Sequence, residues 1–473
     1  MVGVIGYGAY IPFHRLTRTE ISRAWGGPAV TGEKAVASYD EDSVTMAVAA
    51  CRDCIKGHAR GKVDALYLGS TTFPYLEKQS ASIVATALDL NPEMFTLDLS
   101  NSLRSGTGAM RLAVDAVKAK TVRNALVSTA DVRSGLPNGP KELDFGDGAA
   151  ALLVGEENII ATIDAIYSGK YEIHDFWRPA GETFVRSWED RFIREKGYAK
   201  VMTDSVSNAL KRYQFTPRDF SKAVFYSPNP AMLSNVARSL GFDIRTQVQS
   251  SLYDTVGNTG CAQAMMMLVA ALEEAKPGDR LLWASYGDGC DVYILTVTDR
   301  IKEMGNRRGI KRHLASKKVI SNYERYLRWR NIVPVEPAAR EPLQVPSAVA
   351  LWRDNRGGLA LYGVKCKKCG APQYPAQRVC MNCKAKDEFE EYGFADREGK
   401  VATFSQDNLT VSVDPPVTVT TVDFAGGGRI LCDMTDRDPQ KVAVGMPVEM
   451  TFREVRFVGG IHDYWWKCQP VRA

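Results

Sequence analysis

Four cysteines carry the clearest chemistry in this chain. Cys366 and Cys369 form one Cys-x-x-Cys pair, Cys380 and Cys383 a second, and ten residues separate the pairs. Each pair lets two sulfurs of one tight turn converge on an ion, and four thiolates complete the closed tetrahedral site of structural zinc. No position is left for water, so the spacing predicts a Zn2+ that serves folding rather than catalysis. The second chemical setting is SNSLRSGTGA, residues 100–109. The apolar run before it reads as a buried strand, Gly106 and Gly108 mark a tight turn, and Met110, Leu112, Ala113, Ala116 and Val117 recur at helical spacing. A strand that turns sharply into a helix aims its first side chains at the positive helix end, where a thiol would lose its proton readily. Leu103 stands there instead, and a leucine cannot be a nucleophile.

Further residues have two readings each. Cys261 follows the GNTG turn at a helix start, where its pKa is expected to fall, so it is either a displaced nucleophile or a small packed residue. Cys51 and Cys54, three apart on an amphipathic pattern, read as packed thiols. Ser102 and Ser105 flank Leu103 and read as caps or oxyanion donors. His174 opens HDFWRP and either faces a site or is a satisfied structural histidine.

These residues need a scaffold, and the first 300 residues repeat one. SGTGAMRLAVDAV (105–117) echoes GNTGCAQAMMMLVAAL (257–272), and FGDGAAALLV (145–154) echoes YGDGCDVYIL (286–295), in the same order. Strands over Ala65 to Thr71, Ala125 to Ala130, Ala223 to Tyr226 and Leu281 to Ser285 alternate with helices. The expectation is a duplicated α/β domain over 1–300, with halves of about 1–160 and 161–300. A linker over 301–350 follows, basic at first and then marked by Pro334, Pro337, Pro342 and Pro346; its cations outnumber Glu303 and Glu324 and could attract phosphates. A zinc ribbon is placed at 351–395. From 396 to 473 short β-rich runs alternate with glycine and aspartate turns, the pattern of a small antiparallel OB-like barrel.

A chain of 473 residues with 45% apolar content can build two or three cores without disulfides. Its ten cysteines, four at metal spacing, argue for a reducing interior, and cytoplasmic location is the expectation. The longest apolar stretch, Ala264 to Leu272, is far short of the roughly 20 residues a membrane span needs, so no membrane association is expected. A net charge of +5 is small for this length, and the barrel strands lack the basic and aromatic alternation of a stacking groove, which argues against nucleic acid.

Several motifs together, GDGAAALLVGE, HDFWRPAGE, YSPNPAML and GNTG, resemble the thiolase superfamily, most closely hydroxymethylglutaryl-CoA synthases. The ribbon and barrel resemble the small acyl-CoA-associated proteins that partner thiolase-like enzymes, here fused to such a domain. The resemblance implies two similar halves packed around central helices, a coenzyme A thioester as substrate, and a homodimer, with a second thiolase-like subunit as a further possible partner. It also implies three functional positions. The family's acylated cysteine falls at Leu103, its acidic residue at Thr71, and its histidine at Tyr226 in Tyr-Ser-Pro-Asn; Asn229 and Asn258 persist.

Without a nucleophile at 103, the leading expectation is an aldol or retro-aldol lyase/synthase acting on a CoA thioester through an enolate. Thiolase-like aldolases in which tyrosines replace the usual residues are similar. Tyr226 is then the acid/base, provided its pKa falls from about 10. Tyr286 is its partner, and Asn258 with amides near Gly289 binds the thioester oxygen. Two alternatives stay open: an acyltransferase using Cys261, and a non-catalytic acyl-CoA-binding subunit.

Overall fold

The computed structural model describes residues 1–305, 307–336 and 345–472; Pro337 and Pro342 of the expected linker lie outside them. The chain divides into two compact units, one of residues 1–37, 42–85 and 90–323, the other of 38–41, 86–89 and 324–473.

The first unit carries a nine-stranded sheet, and its order exposes the duplication. In the first half the strand Val63–Gly69 lies parallel between Phe95–Leu99 and Asn124–Asp131. The antiparallel strands Gly148–Gly155 and Gly3–Tyr10 follow. In the second half Lys222–Phe225 pairs parallel with Arg280–Tyr286, and Gly289–Val297 and Ala161–Lys170 follow antiparallel. A parallel bridge from Ala223 to Val248 stands where the first half has its outermost strand. Within the nine-stranded sheet the halves are joined by the pairing of Gly3 with Thr162 and Val4 with Ala161. Parallel strands covered on both faces need continuous apolar runs, and Asn124–Asp131 is buried almost throughout, as is its antiparallel neighbour Gly148–Gly155.

Two helices form the centre. Ser105–Lys118 buries Ala109, Met110, Ala113, Val114 and Val117. Gln263–Leu272 is apolar on every face and buried at every position, as a helix with no solvent side must be. Gly106 permits the tight approach of the first helix to its sheet, since a β-carbon there would stand 2.5 Å from Thr129 Cγ2.

The basic stretch is not a free connector over its first part. Residues 301–323 belong to the first unit. Arg307 spends its guanidinium on the carbonyls of Asp53, Cys54 and Lys56, and Lys317 pairs with Glu33. The charge is consumed by internal partners, which spacing along the chain could not reveal.

In the second unit, Tyr362–Cys366, Pro372–Gln373 and Phe389–Gly393 make a three-stranded ribbon. Five strands, Gly399–Asp407, Val417–Phe424, Arg429–Asp433, Pro447–Val458 and Ile461–Pro470, make the barrel, and a bridge from Met434 to Cys468 brings its outer strands together. Val417–Phe424 alternates strictly, with Thr418, Thr420, Val422 and Phe424 inward. Within this unit a buried ion cluster holds Ser38–Glu41: Arg453 meets Glu41 at 2.6 Å, Asp436 at 2.6 Å and Asp40 at 3.4 Å, and Lys467 meets Asp40 at 2.8 Å.

Candidate active site and metal site

Open α/β sheets place ligands beyond the carboxyl ends of their parallel strands. Three such ends converge here: Val63–Gly69 runs out to Thr71, Asn124–Asp131 to Arg133, and Arg280–Tyr286 to Gly287. With the loop before helix Ser105–Lys118 they enclose a cleft of about 140 Å³, lined among others by Thr71, Ser102, Leu103, Arg133, Asp175 and Tyr286. Neither cysteine nor histidine is among its described lining residues. Asn101, at φ +70°, turns the chain from strand to helix in a conformation asparagine tolerates, and Ser102 Oγ donates to the Gly287 carbonyl at 3.3 Å.

Thr71 is held by Asp131, which accepts its amide at 2.7 Å and its hydroxyl at 2.9 Å. The same carboxylate accepts the Cys261 amide at 2.9 Å. Asp131 therefore knits together the two loops that bear these residues, and it is fully buried.

Tyr286 lines the cleft, and its hydroxyl donates to Asp175. The second Asp175 oxygen accepts the Phe176 amide at 2.6 Å. Burial raises the Asp175 carboxyl above the ordinary aspartate range, against these donors. Burial and the adjoining carboxylate push the Tyr286 phenol far upward, so the proton of the pair rests on the tyrosine. Gly197, in the π-helical turn Ile193–Tyr198, lets that turn pass close by, since a β-carbon there would stand 3.0 Å from the Tyr286 hydroxyl. The Tyr226 ring stacks on Tyr286 at 6.3 Å between centroids.

Several expectations need correction. The Tyr226 pKa does not fall: burial raises it, and nearby Arg133 and the hydrogen bond from Asn258 only oppose that rise. Tyr226 is thus a neutral phenol at ordinary pH. Asn258 holds its amide by Nδ2 donating to Tyr226 Oη at 3.2 Å and Oδ1 accepting the Gly260 amide at 2.9 Å, and it is not among the residues that line the cleft. Asn229 caps the helix Pro230–Ser239 by accepting the Met232 amide at 3.0 Å, outside the cleft lining. Cys261 is buried with its sulfur 3.5 Å from the Gly69 carbonyl, and burial with the Asp131 charge drives its pKa up rather than down. His174 lies at the surface beside Glu172 and does not line the cleft. Gly289 is occupied in strand pairing, while Gly287 and Asp288 reach the cleft. Cys51 and Cys54 are packed thiols.

Sequence reading passed over Asp175 and Arg133. Asp175 stands one place after His174 in HDFWRP, where the imidazole is the more conspicuous chemical signal. Arg133 follows the end of a parallel strand, and that position was the available signal.

In the ribbon the four cysteine sulfurs lie within 4.8 Å of one another, with Cys366 and Cys383 at 3.7 Å and Cys369 and Cys380 at 3.6 Å. Tetrahedral zinc with bonds of about 2.3 Å separates its sulfurs by about 3.8 Å. The four residues fit structural zinc.

This duplicated architecture is the thiolase-like α/β fold, with a zinc ribbon and an OB-fold barrel at its carboxyl side. Residues 210–298 match the 3-oxoacyl-[acyl-carrier-protein] synthase III C-terminal model. Residues 359–390 match the ChsH2 rubredoxin-like zinc ribbon domain and 394–453 the ChsH2 C-terminal OB-fold domain. The hydroxymethylglutaryl-CoA synthase of Methanopyrus kandleri is 32% identical over 343 residues, 70% of this chain and 97% of the relative. That of Methanosarcina mazei is 34% identical over 342 residues, 70% and 98% of the two chains. The chain belongs to the hydroxymethylglutaryl-CoA synthase family. Among solved structures, an HMG-CoA synthase complexed with CoA superposes with a TM-score of 0.63 at 21% identity, covering 69% of this chain and 89% of that one. The 3-oxoacyl-[acyl-carrier-protein] synthase III of Aquifex aeolicus gives a TM-score of 0.56 at 19% identity, covering 63% and 100%; both speak to fold alone. No helix among the described residues is long and apolar enough to cross a membrane.

Proposed function

We propose that this protein makes or breaks a carbon–carbon bond on a coenzyme A thioester by aldol chemistry, without a covalent acyl-enzyme. The observation that carries the reading is Leu103 at the cleft, before helix Ser105–Lys118, with no cysteine or histidine among the described lining residues. The relatives' names supply the thioester and the condensation. An acyl group cannot be captured on an aliphatic side chain, whereas an enolate needs only a base and preorganised donors.

Asp175 is the group that takes a proton, and Tyr286 the one that gives a proton to the alkoxide oxygen. Their contact supports the assignment, because pairs pushed apart in pKa divide acid from base. Tyr226 steadies Tyr286 through their ring stack, and Asn258 holds the Tyr226 hydroxyl. Cys261 as a displaced nucleophile is disfavoured by its elevated pKa. A homodimer belongs to this reading; the strand Phe95–Leu99 ends the sheet with Phe95 half exposed, and light scattering tests it.

The test offers purified protein a panel of β-hydroxyacyl-CoA esters and, in reverse, acetyl-CoA with carbonyl acceptors, and follows products by mass spectrometry. Product formation with an unmodified protein mass supports the reading. A stable acyl adduct on the wild-type chain, or no turnover of any member, removes it.

A further inference from the structure

The cleft has room for the reacting carbons and little more. Its volume is about 140 Å³, below the range of about 300–1,000 Å³ in which proteins enclose whole small-molecule ligands. A second depression of about 580 Å³ adjoins it in the same unit, with Tyr171, Ile173, Trp188 and Phe192 as its apolar wall. Trp188 is 58% exposed and Phe192 38%, although residues 189–196 are otherwise rich in charge. Large apolar side chains left open together on a charged surface mark a place where something apolar is bound.

The two depressions share a wall. Trp177 lines the cleft, and its ring centroid lies 6.4 Å from those of Trp188 and His174, which both line the trough. The main-chain carbonyl of Asp175, the proposed base, accepts the Trp188 amide at 3.0 Å. At Gly197 a β-carbon would stand 3.0 Å from the Tyr286 hydroxyl in the cleft and 3.4 Å from Ile173 Cδ1 in the trough. The wall is also braced. Phe176–Trp177 pairs with Arg186–Ser187, and the Val185 amide donates to the Ser134 carbonyl at 3.0 Å, which ties the segment bearing Trp188 to the loop after Asn124–Asp131. Side chains on a braced segment hold a ligand at a smaller ordering cost.

We infer that this trough takes the part of the substrate beyond the β-carbon, and that the substrate is a β-hydroxyacyl-CoA whose acyl group ends in a medium-length apolar chain. The inference rests on the proposed aldol reading and adds to it the size and polarity of the carbonyl partner: an apolar aldehyde or ketone, released in the cleavage direction and accepted in synthesis. A thioester seated with its α- and β-carbons beside Asp175 and Tyr286 sends its next carbons past Trp177. Trp188 and Phe192 receive them there. Aromatic rings offer a large apolar face for little loss of side-chain freedom, so chain length and polarity govern the fit more than shape does.

Calorimetric titration of the full chain with β-hydroxybutyryl-, β-hydroxyoctanoyl- and β-hydroxydodecanoyl-CoA, below the concentrations at which the esters form micelles, tests this. The coenzyme A moiety is common to the series, so differences in affinity report the chain. Affinity should rise by about twofold per added methylene, half on a logarithmic scale of what full burial gives. In Trp188→Ala the ratio of dodecanoyl to butyryl affinity should fall by about tenfold. Trp352→Ala, at an exposed tryptophan of the second unit, should keep the wild-type ratio. If Trp188→Ala does not fold, Phe192→Ala, which also alters the trough, should lower the ratio instead. Equal affinities across the series, or a ratio unchanged in the folded variants, would overturn the inference. So would a dimer lost in Trp188→Ala by light scattering with the ratio intact, which would assign this face to a second copy of the chain. Binding needs no turnover. Graded binding without carbon–carbon products would remove the aldol reading and keep the trough as the chain's site, and turnover without any preference for chain length would do the reverse.

Discussion

Leu103 and Gly287 approach so closely that a β-carbon on the glycine would stand 2.9 Å from that of the leucine. Gly287 has φ +154°, which L side chains rarely adopt, so the turn after Arg280–Tyr286 is built to admit the side chain at 103. Leu103→Cys replaces that side chain with a smaller thiol at the start of a helix, where it is acidified. The variant should gain an acetyl adduct after incubation with acetyl-CoA, seen by intact-mass spectrometry, while the wild type gains none. An unmodified variant would mean that residue 103 does not meet the thioester carbon.

Tyr286 and Asp175 should behave as one unit. Asp175→Asn leaves an amide where a base is needed and should lower turnover by about 10²–10⁴-fold, with Tyr286→Phe of similar effect and the double variant little worse. The carboxyl works as a base only when ionised, and burial has raised its pKa. Turnover in wild type should therefore rise with pH across a limb lying above the ordinary aspartate range, and that limb should vanish in Asp175→Asn. Multiplicative effects in the double variant would separate the two residues.

The scaffold was largely legible and the cleft was not, for a physical reason. Cysteine spacing, two echoed Gly-Asp-Gly turns and continuous apolar runs are local patterns, and each constrains the backbone wherever the rest of the chain goes. The cleft depends on which strand ends meet. Asp175 and Tyr286 are 111 residues apart, and nothing near either names the other. Burial misled as well: a thiol at a helix start reads as acidic, but Cys261 is packed against Gly69 and the Asp131 charge, which reverse the shift.

Removing the metal should unfold the ribbon selectively. Its buried apolar cluster is small, centred on Cys366, Cys380 and Ala385, so the metal supplies much of its stability. Atomic emission should find one zinc per chain, and Cys380→Ser should lose it. Proteolysis should then cut within 359–390 while the larger unit survives. Resistance of the metal-free protein to cleavage there would refute the assignment.

The ion cluster of the second unit should be costly to break from one side. Arg453→Met leaves Asp40, Glu41 and Asp436 without their shared cation, and such a loss costs about 3–5 kcal/mol. Urea denaturation should show it as a lowered midpoint of the transition reporting this unit. A change below about 1 kcal/mol would show that the remaining cations compensate.

Stability should also depend on pH through Glu273, which accepts the Ile310 amide at 2.7 Å and the Lys311 amide at 3.3 Å at the start of helix Gly309–Ala315. Burial raises its carboxyl from 4.5 to about 7, opposed by those amides and Lys311 and aided by Asp53. A folded pKa above the unfolded one means the folded protein holds this proton more tightly. The stabilisation is complete below about pH 4.5 and is lost as pH rises through about 7. Glu273→Gln keeps an acceptor without the charge, so its melting temperature should change less with pH across that window. Parallel profiles for variant and wild type would exclude Glu273 as the source.

The two Gly-Asp-Gly turns have parted ways in employment. Asp147, in the first, is 2% exposed and accepts the Ala37 amide at 2.7 Å, so it is tied into the interior. Asp288, in the second, borders the cleft. A duplicated architecture thereby gains room for innovation: one copy conserves the shape while its twin can vary at the rim and alter what is bound there without endangering the whole.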